Sequence, residues 1–212
     1  MRTEDLIAAL AQDPAATPLR SGRIGAAVIG IIALCVGVFL TVIGLRADLA
    51  AVLTTPMLAS KTLLPAVLSL AALPVVVRLM RPEETGPVLG RAILWTVLAV
   101  AALLYAVGFA TQSRARWFAD VSPASVLQCL GFILLISLPA LGLCFALVRQ
   151  GATTAPARSG AMLGLAVSAG ATAGYSLYCT QDNPIFFVTW YGLAILIVTI
   201  LGAVAGTRLL RW

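Results

Sequence analysis

The amino-acid sequence predicts an all-α, polytopic membrane protein with six transmembrane helices and both termini in the cytoplasm. Two observations carry the fold class. Of the 212 residues, 61% are hydrophobic and 10% charged, with no histidine, whereas a soluble domain carries about 25% charged residues. The charges also fall between apolar stretches long enough to cross a bilayer, which takes about 20 residues. Backbone in lipid must satisfy its own hydrogen bonds, so such stretches are helices. The net charge of +6 comes from arginines that flank these stretches and form no basic patch, so no direct nucleic-acid contact is expected.

The spans follow in order. Ile24–Leu45 runs between Arg23 and Arg46. Thr62–Val77 lies between Lys61 and Arg78 and is short, so its flanking cations are expected to snorkel. Ala92–Ser113 lies between Arg91 and Arg114. Val121–Val148 precedes Arg149, with Pro123 marking its start. Ser159 to Cys179 follows Arg158, and Pro184–Thr207 precedes Arg208. Two parts result: a tail, residues 1–23, and a six-helix domain, residues 24–212. The tail has Glu4, Asp5 and Asp13 and no apolar core before a cleavage site, so no signal peptide is expected.

Orientation comes from the cations. The N-terminal side collects Arg2, Arg20, Arg23, Arg78, Arg81, Arg91, Arg149, Arg158, Arg208 and Arg211. The opposite side has Arg46, Lys61, Arg114 and Arg116, so the bias is ten to four. The richer side is expected to be cytoplasmic. In the tail, Thr3 suits a helix cap, with Glu4 and Asp5 in the first turn where the helix dipole favours anions. Leu6, Ile7 and Leu10 then make one apolar face, for the membrane surface or for a cytoplasmic partner. Residues 47–53, ADLAAVL, form a second short amphipathic piece. Glycines four apart, at 160 and 164, 170 and 174, and 202 and 206, predict close packing of the last two helices.

Little in the sequence points to catalysis. No span carries an ionisable group in its middle, there is no Ser-His or Cys-His pair, and no phosphate-binding loop. The four cysteines remain. Cys35 and Cys144 read as small apolar fillers. Cys129, near the start of the fourth span, and Cys179, at the end of the fifth, reach similar depth on the non-cytoplasmic side. Cys144 lies about 22 Å along the helix from Cys129, too far to join them. An oxidising compartment lets two such thiols form a disulfide or bind a soft metal ion. Within YCTQDNPIFFVTWYG (residues 178–192), Asp182 is expected to cap the last helix ahead of Pro184, or else to approach the thiols as a ligand or pKa modifier.

MRTEDLIAALAQD at the start, RADLAAVL after the first span, QCL in the fourth, YCTQDNPIFFVTWYG at the last bend and the closing RLLRW resemble the NrsF family of bacterial membrane anti-sigma factors. The resemblance covers essentially the whole chain. Its most specific part is matched by Cys179, Asp182, Pro184, Phe186, Trp190, Tyr191 and Gly192. It implies an inner-membrane protein that holds an extracytoplasmic-function sigma factor and releases it under metal or oxidative stress. It implies that Cys129 and Cys179 form the sensing pair, as a disulfide or around a transient soft metal ion, with no resident cofactor. Asp182, Pro184, Trp190 and Tyr191 stand as supporting residues, the two aromatics as an interfacial anchor or as packing. Leu6, Ile7 and Leu10 become the sigma-binding surface. The alternative reading is a membrane thiol/disulfide oxidoreductase coupled to quinone, for which Cys35 and Cys144 are badly placed as a second redox pair.

Overall fold

The computed structural model describes residue 3 and residues 21–52, 55–80, 88–119, 121–149 and 153–210. The tail residues Leu6, Ile7 and Leu10 lie outside the described residues. Those described form seven α-helices, with a 3₁₀ turn at Arg114–Arg116 and no strand among them. We number them α1 (Ser21–Ile43), α2 (Leu49–Val52), α3 (Pro56–Leu79), α4 (Val88–Thr111), α5 (Pro123–Val148), α6 (Pro156–Tyr175) and α7 (Pro184–Leu209).

Four of these helices begin at a proline, whose fixed φ and missing N–H suit the first turn. Three of the four have a capping side chain in front. The Thr55 hydroxyl accepts from Leu58 N, Ser122 and Ser125 form a reciprocal capping box, and the Asn183 carboxamide accepts from Ile185 N. Helix α1 stops at Gly44, whose φ of +99° a side chain would resist.

Five helices, α1, α3, α4, α5 and α7, are long and apolar enough to cross a membrane. Leu34, Leu103, Leu127 and Leu196 on their outer faces are exposed, as side chains meeting lipid would be. The sixth expected span corresponds to α6, which does not reach that apolarity. The reason is its position. Helix α6 packs against α1, α3, α5 and α7 at the centre of the bundle, so it meets helices on most sides. There small residues are favoured over bulky apolar ones. Its hydroxyls are satisfied internally: Ser168 Oγ donates to Gly164 O and Thr172 Oγ1 to Ser168 O, both at 2.7 Å. Ser69 of α3 donates to Ala166 O at 2.7 Å and ties the two helices together.

The glycines explain the tightest contact, α6 on α7. A Cβ on Gly160 would run into the backbone at Gly202 and Gly206, and one on Gly164 would lie 2.6 Å from Val198 O. The third pair departs from expectation. Gly170 and Gly174 receive Ile32 and Val36 of α1, not α7. Gly160→Ala is therefore expected to cost about 1–3 kcal/mol, because neither backbone can move aside cheaply. Gly131→Ala, where the added Cβ meets nothing within 4 Å, is expected to stay within about 0.5 kcal/mol. Thermal unfolding in one detergent compares them, and equal midpoints would contradict the interlock.

The second span also differs from its sequence reading. Helix α3 starts at Pro56, six residues before Thr62, and carries Lys61 inside it, fully buried. Lys61 does not snorkel to water. What holds it lies at the opening of the last bend.

Candidate sensing site at the last bend

After Tyr175 the chain leaves α6 through a turn, with Cys179 N donating to Tyr175 O at 3.1 Å. It re-enters helix at Asn183 and Pro184. The residues between would leave carbonyls facing a low-dielectric interior, where an unpaired polar group is expensive. Lys61 Nζ meets that demand. It donates to Cys179 O and Gln181 O, both at 2.7 Å, and to Asp182 Oδ1 at 3.0 Å. Three donors find three acceptors, which is the full capacity of an ammonium.

A second cation arrives from the loop after α1. Arg46 Nη1 and Nη2 each donate to an Asp182 carboxylate oxygen at 3.0 Å, a bidentate pair. Its Nε and Nη2 also grip Asp48, at 2.7 and 2.9 Å. Nη1 reaches Cys179 O at 3.3 Å, and its backbone N–H donates to Leu177 O at 3.2 Å. The segments RADLAAVL and YCTQDNP, far apart in sequence, thus form one polar knot. Burial pushes the Asp182 carboxyl up, but the hydrogen bond from Arg46 and the charge of Lys61 outweigh it and hold it below the usual carboxylate range. The hydrogen bond from Arg46 likewise lowers Asp48, and the two carboxylates raise the Arg46 pKa above its ordinary value.

The knot corrects two expectations about Asp182. The cap of α7 is Asn183, and Asp182 is committed to Arg46 and Lys61. Pro184 does occupy the first helical turn. Among the described residues no third His, Cys, Asp or Glu joins the two thiols in a group that could hold a metal ion.

Beneath the knot lies a thiol and aromatic cluster. Cys129, in the second turn of α5, and Cys179 share one buried core with Phe39, Tyr175, Phe186, Phe187 and Tyr191. Cys129 is 1% exposed and Cys179 5%. Tyr175, 2% exposed, belongs to the same buried core as both thiols. Tyr191 packs edge-on to Tyr175 with ring centroids 5.8 Å apart and is 4% exposed, so it is a core residue and not an anchor at a membrane surface. Trp190 is half-buried against Phe186, centroids 6.4 Å apart. Cys144 belongs to a different buried core cluster, and Cys35, partly buried, packs against both clusters.

The arrangement can be compared with known proteins. A family model described as "Negative regulator of sigma F", NrsF, matches residues 9–212. The chain belongs to the NrsF family. It is 32% identical, over the full length of both chains, to the anti-sigma-F factor NrsF of Caulobacter vibrioides (strain NA1000 / CB15N). No solved structure matches it. Members of the NrsF family are negative regulators of a sigma factor, so this chain is a sigma-factor antagonist in class.

The sequence reading missed Arg46 and Lys61 because it treated every cation as a water-facing flank. A signal was present. Lys61 is the chain's single lysine, and the charge count put it on the same side as Arg46 and Asp182.

Proposed function

We propose that this NrsF-family chain is an inner-membrane anti-sigma factor with six spans and both termini cytoplasmic. It sequesters an extracytoplasmic-function sigma factor and releases it when Cys129 and Cys179 react with an oxidant or a soft metal on the periplasmic side. The observation that carries the reading is the burial of these two thiols, from α5 and from the α6–α7 bend, in one cluster around Tyr175. The ten-to-four cation bias supports the orientation. Helix α6, enclosed by its neighbours, serves as the sixth span.

The switch needs a bond that the resting state lacks. Oxidation removes two electrons and two protons from the thiols and forms one S–S bond; with a peroxide as acceptor the electrons and protons end in water. A soft metal ion would instead bridge two thiolates and release two protons. Either event fixes α5 against the bend. The bend is locked to α3 by Lys61 and to the α1–α3 connection by Arg46, so its displacement is shared by several helices. The cross-linked arrangement must bind the sigma factor less tightly, because a signal shifts only states it binds differently.

The sigma-binding surface is Leu6, Ile7 and Leu10 of the tail. Affinity capture of the intact protein from solubilised membranes is expected to bring a sigma factor with it. The double variant Leu6→Asp, Ile7→Asp places carboxylates in an apolar contact at a cost of several kcal/mol, or about two decades of affinity or more. Undiminished capture by a stably inserted double variant would exclude this surface, and absence of any sigma factor with the wild type would defeat the reading.

A further inference from the structure

Cys129 and Cys179 are 1% and 5% exposed, so a reagent dissolved in water meets them only when something at the surface moves. The residue in front of each cysteine reaches that surface. Gln128 is exposed on α5, and Tyr178 is half-buried in the turn after α6. The two residues meet: Gln128 Nε2 donates to the Tyr178 hydroxyl at 2.9 Å.

The Tyr178 ring is also held from below. It lies against Phe39 of α1, Phe132 of α5 and Tyr175 at the end of α6, with centroids 5.8, 5.7 and 6.0 Å away. Phe39 and Tyr175 belong to the buried core that contains both thiols, and Phe132 and Tyr178 pack against it. Phe132 follows Cys129 by three residues on one helix, which puts the two on one face. The ring thus runs from the thiol core to the surface, where its hydroxyl is tied to the helix that carries Cys129. The Tyr178 and Cys179 N–H groups both donate to Tyr175 O, at 3.0 and 3.1 Å, so ring and thiol stand on one turn of chain.

The restraints around Cys179 differ in strength. Lys61 and Arg46 hold its carbonyl through charged donors, and hydrogen bonds of that kind are roughly twice as strong as neutral ones. The Gln128–Tyr178 bond is neutral and exposed. Local opening favours such weakly held, solvent-exposed contacts. The bend therefore gives way on the Tyr178 side, beside the thiols, before it does on the side of the knot.

We propose that Tyr178 is a lid over the Cys129–Cys179 pair, latched by Gln128, and that its opening sets how fast a metal ion or an oxidant dissolved in water reaches the thiols. The inference rests on the thiol-sensing reading above and adds its access step. The two residues in front of the cysteines would then tune the response without entering the bond that carries it.

The test uses the full chain, reduced, in lipid nanodiscs and a sulfonated maleimide. This reagent stays in water, and a neighbouring thiol cannot displace the thioether it forms. Mass spectrometry follows labelling of Cys129, Cys179 and Cys144. Cys144, 0% exposed in the other core, reports loosening of the bundle as a whole. Gln128→Leu and Tyr178→Phe each remove the latch and keep the ring, and each is expected to speed labelling of Cys129 and Cys179 about fivefold, the worth of one neutral hydrogen bond. The double variant should match either single one, since both residues serve one bond. Tyr178→Ala removes the lid itself and should speed labelling by about tenfold or more. Cys144 should label at its wild-type rate throughout. Wild-type rates at Cys129 and Cys179 in every variant would overturn the lid, and so would an acceleration that Cys144 shares. Hydrogen peroxide and cadmium ion, applied separately to the same samples, keep the two readings apart. If either one joins or protects the thiols while the variants label like wild type, the lid is wrong and the sensing reading stands. If the variants label faster but neither reagent joins or protects the thiols, the lid stands and the sensing reading fails.

Discussion

Asp182→Ala is expected to lower the stability of the folded protein by about 3 kcal/mol, the low end of what breaking a buried ion pair costs. The loss arises in the partners left behind. The Lys61 side chain is 0% exposed and that of Arg46 2%, so neither can turn to water when its carboxylate goes. The low end applies because Asp48 still holds Arg46 and the two bend carbonyls still hold Lys61. The Asp182 side chain is also 34% exposed, which weakens its field. Lys61→Met should destabilise as well, by orphaning Gln181 O and leaving Cys179 O with only the longer bond from Arg46. Unfolding in detergent measures both, and an Asp182→Ala variant within about 0.5 kcal/mol of wild type would show that the knot contributes little.

The same carboxylate fixes the direction of the pH response. Its folded-state pKa lies below the unfolded value of about 3.9. Its stabilising contribution is therefore complete above that value and is lost as pH falls through the folded pKa. Acid should loosen the bend, and Asp182→Asn should remove that part of the acid dependence.

Cys129→Ser and Cys179→Ser are each expected to abolish induction, with the sigma factor held whatever the stress. The double variant should behave like either single one. Such non-additivity is required if both sulfurs enter one bond or one ion. Serine nearly preserves volume beside Tyr175, so the protein should still insert and repress. Cys35→Ala and Cys144→Ala, which remove the other two thiols of the bundle, should leave induction intact. Thiol trapping before and after stress separates the chemistries. A Cys129–Cys179 disulfide marks oxidation, and thiols that remain reduced but resist alkylation beyond their resting protection mark metal. Induction that survives either serine substitution would remove the pair from the mechanism.

Much of the bundle was legible from composition and local chemistry. Apolar stretches between arginines are spans because lipid admits little else, and Pro123 and Pro184 mark helix starts because proline's fixed φ and missing N–H suit a first turn. Gly160, Gly164, Gly202 and Gly206 announced a close crossing because a glycine's missing side chain matters mainly where another backbone approaches. Depth along a helix is also linear in sequence, so Cys129 and Cys179 could be assigned to one end of the bundle.

Rotation and partnership are not linear, and these waited for the tertiary structure. Whether Gly170 and Gly174 meet α7 or α1 depends on which way α6 is turned among its neighbours. Whether Lys61 faces water or sits inside α3 depends on three acceptors converging from a bend more than a hundred residues away. A cation is buried only where such acceptors offset the loss of its hydration, and no property of residues 55–65 records that they will be there. Asp182 was drawn away from the helix cap for the same reason: two cations from other segments outcompete a local backbone N–H, and Asn183, one residue on, takes the cap instead.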